Sequence, residues 1–209
     1  MKIIVFGATG MIGKEVVKQA LYNGNTIKAF GRNVFTEGLP EDDKLDLIQG
    51  ALFDEGEVYK AVKGCDAVVS VLGGSTDSTD KTRSLGMKNI VKQMEKAGIK
   101  RIVTLGGMGV LDGANGKLVM NEEDFPAQYY AVSVEHKKAL EFLQNSTLEW
   151  TFVCPPMIEA GVPTGVFKTE IDHLPEPNEF KIGSGDLALF MLKELEQKQF
   201  VKQRVGITY

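Results

Sequence analysis

Cysteine is scarce in this chain: Cys65 and Cys154 are the only two in 209 residues and lie far apart. That is too few for a disulfide scaffold or a cysteine-rich zinc cluster. No metal is expected, and two thiols without a framework suit a reducing, cytoplasmic location. Long apolar runs are also missing. The β-forming stretch after Lys2 stops at Gly7, no small-residue cleavage site follows it, and no window approaches the ~20 apolar residues that cross a bilayer. The expectation is a chain neither exported nor embedded. Positive charge does not cluster either: 24 Lys and Arg stand against 28 Asp and Glu, a net charge of −4. Nucleic acid and anionic membranes are therefore not expected partners. What is present, 43% hydrophobic and 25% charged residues over this length, is the composition of one globular domain spanning 1–209.

Short β-branched runs alternate with longer segments of helical period, the pattern of consecutive βαβ units around a parallel sheet. The runs predict strands near 2–6, 26–30, 45–49, 67–71, 101–105 and 150–153, with a last short strand near 205–208. Between them the periodicity predicts helices near 11–22, 55–62, 84–97, 132–144 and 186–197. Gly24, Gly64 and Gly98 each follow a helical stretch, where a left-handed cap is needed. The fold class expected is α/β: a doubly wound parallel sheet of strand order 3-2-1-4-5-6, with helices on both faces and room for a short extra strand. Pro163, Pro175 and Pro177 break the rhythm, so 157–182 is expected to be a small substrate-side excursion over one end of the sheet, whose conformation no pattern fixes.

Three glycines, Gly7, Gly10 and Gly13, sit between the first strand and the first helix. At such a turn a missing Cβ permits a tight bend, close approach to a phosphate and close helix-to-strand packing. The N–H groups opening the helix then face a pyrophosphate with the positive end of the helix dipole behind them. A strand before the glycines and a helix after them is the context in which this spacing means dinucleotide binding. The other phosphate-binding loop ends in Gly-Lys-Ser/Thr, and Gly13-Lys14-Glu15 lacks its hydroxyl, which argues against an ATPase.

An acid at the end of the second strand accepts the ribose 2′-OH of NAD, whereas an Arg accommodates the 2′-phosphate of NADP. Here the segment reads Lys28-Ala29-Phe30-Gly31-Arg32-Asn33, with no acid until Glu37. Arg32, with Asn33 beside it, points to NADP(H) as the preferred cofactor and NAD(H) as a possible one. The other strand tips supply further candidates. Gly73 and Gly74 follow the fourth strand at the switch point where a dinucleotide crosses the sheet. Ala51 and Leu52 after the third strand can border the adenine by shape. Leu105, Gly106 and Gly107 after the fifth strand, and Cys154, Pro155 and Pro156 after the sixth, are expected to frame the nicotinamide.

These residues resemble the atypical short-chain dehydrogenase/reductases. Within that group the chain is most similar to the branch of NAD(P)H-dependent flavin reductases and biliverdin-IXβ reductases, together with the NmrA-like NAD(P)-binding proteins. The motifs span nearly the whole chain: GATGMIG at 7–13, FGRN at 30–33, VVSVLGG at 68–74, GMKNIVKQMEKAGIKRIV at 86–103 and LEWTFVCPPMI at 148–158. The resemblance implies a Rossmann fold in which Thr9, Gly10, Met11 and Ile12 hold the pyrophosphate and Arg32 the 2′-phosphate. It also implies that Leu72 and Gly73 border the adenosine and that Pro155-Pro156 meet the carboxamide.

One departure bears on chemistry. Standard members of the group carry Tyr-x-x-x-Lys, in which the Lys lowers the Tyr pKa so that it can pass a proton to a carbonyl. Here Val132 stands where the Tyr belongs and His136 where the Lys belongs, while Tyr129 and Tyr130 are out of register. Hydride donation to a flavin, quinone or other planar conjugated acceptor yields a delocalised anion that water can protonate, so it does not need that dyad. His136 is the candidate catalytic residue, as a proton relay or acceptor contact, because an imidazole titrates near neutrality; a structural histidine is the alternative. Two functions follow: an NADPH-dependent reductase of a small planar substrate, or a non-catalytic NmrA-like sensor of NADP(H) that regulates a partner protein.

Overall fold

A computed structural model describes residues 1–36, 38–75, 79–113 and 116–209; Glu37 lies outside them. Its central sheet has eight strands in the order β3-β2-β1-β4-β5-β6-β10-β8. The elements run β1 (Lys2–Phe6), α1 (Met11–Tyr22), β2 (Thr26–Gly31), β3 (Leu45–Gln49), α2 (Glu55–Val62) and β4 (Ala67–Ser70), then α3 (Thr82–Ala97), β5 (Arg101–Leu105), α4 (Tyr130–Gln144) and β6 (Glu149–Cys154). The chain closes with β7 (Met157–Glu159), β8 (Lys168–Ile171), β9 (Lys181–Gly183), α5 (Ser184–Gln197) and β10 (Gln203–Thr208). Every pairing in the large sheet is parallel except that of β8 with β10. This is the expected 3-2-1-4-5-6 order, a Rossmann-like α/β fold, extended by two strands.

The period of two along a strand decides which helix each side chain meets. Ile3, Val5, Val69 and Val103 point to one face and form a core with Ile12, Val16 and Val17 of α1 and with Leu187 and Met191 of α5. Ile4, Phe6, Val68 and Ile102 point to the other and pack with α2, α3 and α4 through Val58, Ile90, Met94 and Leu143. Both faces being covered, the inner strands read as unbroken apolar runs, as parallel sheets do. Gly24, Gly64 and Gly98 adopt φ of 81°, 74° and 74°, the left-handed helix stops expected of them.

The stretch 157–182 contains β7 and β8 and the start of β9. β7 and β9 pair as a small parallel ribbon, and β8 pairs antiparallel with β10 at the end of the large sheet. β8 is only four residues long, Lys168-Thr169-Glu170-Ile171, and mostly exposed. Its hydrogen bonds come from a partner strand nearly forty residues downstream, a pairing that local periodicity does not encode, and its Lys and Glu are what a solvated edge tolerates.

A network of charges anchors the loops around this end. Arg204 of β10 reaches Asp112 at 3.0 Å and Asp172 at 2.7 Å, and donates to the carbonyl of Val110 at 2.7 Å. The loop after β5 and the end of β8 are thereby tied to one guanidinium.

Candidate functional site

The β1–α1 turn separates glycines the fold requires from one it does not. Gly7 has φ of 84°, and a Cβ there would lie 2.5 Å from the carbonyl oxygen of Val71. A Cβ on Gly13 would lie 2.1 Å from the oxygen of Gly7 and 2.7 Å from the Cα of Ala8. Both positions are closed to any side chain by the protein itself. Gly10 differs: its φ is −73°, and a Cβ would come no nearer than 3.5 Å to another atom, the Gly7 oxygen. Packing therefore permits a side chain at Gly10, and that space is left open. Directly behind it α1 begins with no side-chain cap and no acid in its first turn, whereas α2 is capped by Asp54 accepting from the N–H of Glu57 at 2.8 Å. The first N–H groups of α1 remain available to an anion.

Two clefts meet at this turn. One, of about 250 Å³, runs over the tips of β1, β2, β3 and β4 and is lined by Thr9, Arg32, Ala51, Leu52, Phe53 and Thr82 among others. The second, of about 310 Å³, follows the start of α1 past Gly10, Met11 and Ile12 to Leu105 at the tip of β5. They share Gly7, Thr9 and Gly73. A Cβ on Gly73 would meet nothing within 4 Å, so this glycine too keeps space open toward the cleft. An elongated channel over an uncapped helix N-terminus, with two glycines at which a Cβ would clash with no described atom, fits a dinucleotide. Among the described residues, Arg32 is the only ionisable side chain lining either cleft.

Of the residues read from the sequence, the clefts bring together Gly7, Thr9, Gly10, Met11, Ile12, Gly13, Arg32, Ala51, Leu52, Leu72, Gly73 and Leu105. The others lie beside them with structural tasks visible. Asn33 accepts from the N–H of Thr36 at 3.1 Å within its turn. Gly74 packs against Asp80 and Arg83, and its carbonyl accepts from Arg83 at 3.2 Å. Gly106 makes room for Phe152, whose ring would lie 2.0 Å from a Cβ. Pro155 accepts from the N–H of Met108 at 3.0 Å, joining the loops that follow β5 and β6, with Pro156 next in line. Cys154 is fully buried, and burial pushes its thiol far up from the usual value, which leaves it unreactive. Phe53 and Thr82 line the first cleft without any signal in the sequence pattern.

His136 sits on α4 behind Gly107, where a Cβ would lie 3.2 Å from its Cδ2, with its ring edge-on to Phe152 at 6.4 Å. Burial, reinforced by the Arg83 guanidinium and opposed by Glu135, holds its pKa down to about 3. At neutral pH it is an uncharged imidazole. Its neighbour Glu135 is a buried carboxylate that sequence reading passed over. It accepts from the hydroxyl of Ser84, from Lys138 at 3.0 Å and from Lys81 at 3.4 Å. Burial pushes this carboxyl up, but those bonds outweigh it and leave the pKa lowered. Glu135 thus pins α4 to the start of α3 and fixes the turn of helix that carries His136. Tyr129 and Tyr130 are half exposed at the start of α4.

Comparison with known proteins agrees with this geometry. Residues 7–198 match the model of a family described as NAD(P)H-binding. The uncharacterized protein YwnB of Bacillus subtilis is 26% identical over 214 residues, covering 99% of this chain and 98% of its own. A solved structure from Burkholderia pseudomallei is 32% identical with a TM-score of 0.86 and covers 100% of both chains. A Streptococcus pneumoniae protein proposed to be an NADH-flavin reductase is 24% identical, covers 100% of this chain and 99% of its own, and superposes with a TM-score of 0.83, a likeness of fold. Among the described residues, no helix is long and apolar enough to cross a membrane, and no group of His, Cys, Asp and Glu could hold a metal ion.

Proposed function

Because this chain belongs to the NAD(P)H-binding family, we propose that it is an oxidoreductase that prefers NADP(H), can use NAD(H), and reduces a flavin, quinone or other planar conjugated acceptor without a Tyr/Lys dyad. The observation that carries this reading is the lining of the two clefts: among the described residues Arg32 is their only ionisable side chain, and none that lines them is a Tyr, Lys, His, Cys, Asp or Glu. Arg32 at the tip of β2 supports the choice of a 2′-phosphate, as does the lack of a carboxylate among the described lining residues to accept a ribose 2′-OH.

A bound dihydronicotinamide supplies hydride. The chain's own residues then have three tasks. The Gly7–Gly13 turn and the open end of α1 bind the pyrophosphate. Leu105, with Met108 and Pro155 joined behind it, holds the nicotinamide end at the tips of β5 and β6. Half-exposed Tyr129 and Tyr130, with Met157 55% exposed after Pro155-Pro156, offer apolar faces to a flat acceptor. The proton comes from solvent, because His136 is buried and neutral. Both cysteines are buried free thiols, which suits a reducing cytoplasm.

NADPH oxidation by the purified protein over a panel of flavins, quinones and bilins, measured beside cofactor affinity, tests the proposal. Turnover with a planar acceptor supports it. Tight NADPH binding with no turnover on the whole panel overturns the reductase and leaves the NmrA-like sensor.

A further inference from the structure

Packing sets the walls of the first cleft on the side of β3 and α3. Leu52 and Leu72 press against Gly86 of α3, where a Cβ would lie 2.5 Å and 2.9 Å from their methyl carbons. Phe30 lies over Gly50, 2.6 Å from the position of a Cβ, and its own ring is backed by Phe6 at 5.1 Å. Phe53 is unlike these: it lines the same cleft yet is 59% exposed, a flat apolar side chain left at the rim.

The polar groups of this segment are mostly spoken for. The N–H of Ala51 donates to Glu57 at 2.6 Å, and its carbonyl accepts from the N–H of Asp54 at 3.0 Å. The carbonyl of Leu52 accepts from Asn89 at 2.8 Å, and the N–H of Gly50 donates to Gly31 at 3.2 Å. Among the described residues, no side chain lining the cleft carries a carboxylate or an amide. Its polar side chains are Thr9, Arg32 and Thr82, and a threonine hydroxyl donates or accepts as its neighbour requires.

We infer that the base end of this cleft recognises a purine by its faces and not by its 6-position: Phe53 is the stacking surface, and a dinucleotide carrying hypoxanthine binds as well as one carrying adenine. The inference rests on the reading of the cleft as an NADP(H) site. Stacking on an aromatic tolerates any base, since every base has a π-face. A pocket built to hydrogen-bond the 6-amino group would instead reject the 6-oxo analogue by orders of magnitude.

Calorimetric titration of the whole chain with NADP⁺ and with its hypoxanthine analogue tests this. The two are expected to bind wild type within about fivefold of each other, far short of the discrimination a hydrogen-bonded pocket shows. Phe53→Ala is expected to weaken both by about tenfold, the scale of one lost base stack, and Phe53→Trp to restore both. Phe53 is exposed, so neither variant should disturb folding, and the analogue arm needs no variant. A hypoxanthine dinucleotide binding wild type more weakly than that limit overturns the inference, and so does NADP⁺ affinity unchanged in folded Phe53→Ala. Failure of wild type to bind either dinucleotide overturns the reading of the cleft itself, a distinguishable result.

Discussion

Tyr209 donates its phenol hydrogen to Asp186, with Oη 2.9 Å from Oδ2. The same carboxylate accepts from the N–H and hydroxyl of Thr164 and from the N–H of Gly165, each at 2.7 Å. Asp186 stands in the first turn of α5, so one buried carboxylate clips the segment after β7 to the helix and to the residue after β10. Tyr209→Phe removes one of these bonds and deprives the N–H of Gly183, 3.0 Å from the phenol oxygen, of its acceptor. The expected cost is about 1–3 kcal/mol, seen as a fall in melting temperature of about 2–4 °C per kcal/mol. An unchanged melting temperature would show that the clip does not hold the segment.

The clip also has a pH signature. Burial raises the Asp186 carboxyl, but the bonds from Gly165, Thr164 and Tyr209 prevail and leave its pKa lowered. A depressed folded-state pKa gives stability that is present above the unfolded value, near 3.9, and lost as pH falls below it toward the folded one. Asp186→Asn should be less stable than wild type at neutral pH, with the difference shrinking on acidification below about pH 4. Denaturant melts across pH 2–7 check this; a difference independent of pH would contradict it.

His136 acts in a higher window. Its folded pKa of about 3 lies below the usual 6.5 or so, so between these values the unfolded chain binds a proton that the folded chain does not. Stability contributed by this residue is therefore full above about pH 6.5 and declines toward pH 3, by up to about 1.4 kcal/mol per pH unit. His136→Gln should flatten that slope by one proton. The same neutrality predicts that turnover shows no titration of a histidine between pH 5 and 8. A turnover profile with an inflection near pH 6.5 that vanishes in a well-folded His136→Gln protein would make the imidazole a proton relay.

Gly10 and Gly13 should respond in opposite ways. Gly10→Val places a side chain where the fold tolerates one but a pyrophosphate does not, so the protein folds and NADPH no longer raises its melting temperature. Gly13→Ala forces a Cβ to 2.1 Å from the Gly7 oxygen, and the expected loss is one of stability, about 1–3 kcal/mol or more. Thermal shift with and without NADPH separates the two; a preserved shift in Gly10→Val would move the phosphate site elsewhere.

Arg32→Glu should weaken NADPH by about ten- to hundredfold, the scale of a lost charge-assisted bond of ~1.5–3 kcal/mol, and NADH far less. Equal losses for both cofactors, or a wild type that prefers NADH, would remove Arg32 from the 2′-phosphate.

The local chemistry of the chain determined a good deal by itself. Apolar runs at Lys2–Phe6, Ala67–Ser70 and Arg101–Leu105, with left-handed glycine stops after α1, α2 and α3, specify alternating strands and helices because such signals act over a few residues. The turn from Gly7 to Gly13 and Arg32 at the tip of β2 were legible for the same reason, since each lies within one βα unit. Tertiary structure alone decided the rest. Only packing shows that Gly13 and Gly106 answer to Gly7 and Phe152, while a Cβ at Gly10 or Gly73 would clash with no described atom. Only the docking of α4 on α3 buries Glu135 and leaves His136 uncharged, because a pKa depends on what surrounds a group and not on its neighbours in sequence. β8 and the rim position of Phe53 were equally invisible, for β8 is defined by its pairing with β10 and Phe53 lines a cleft assembled from strand tips distant in sequence, where no periodicity reaches.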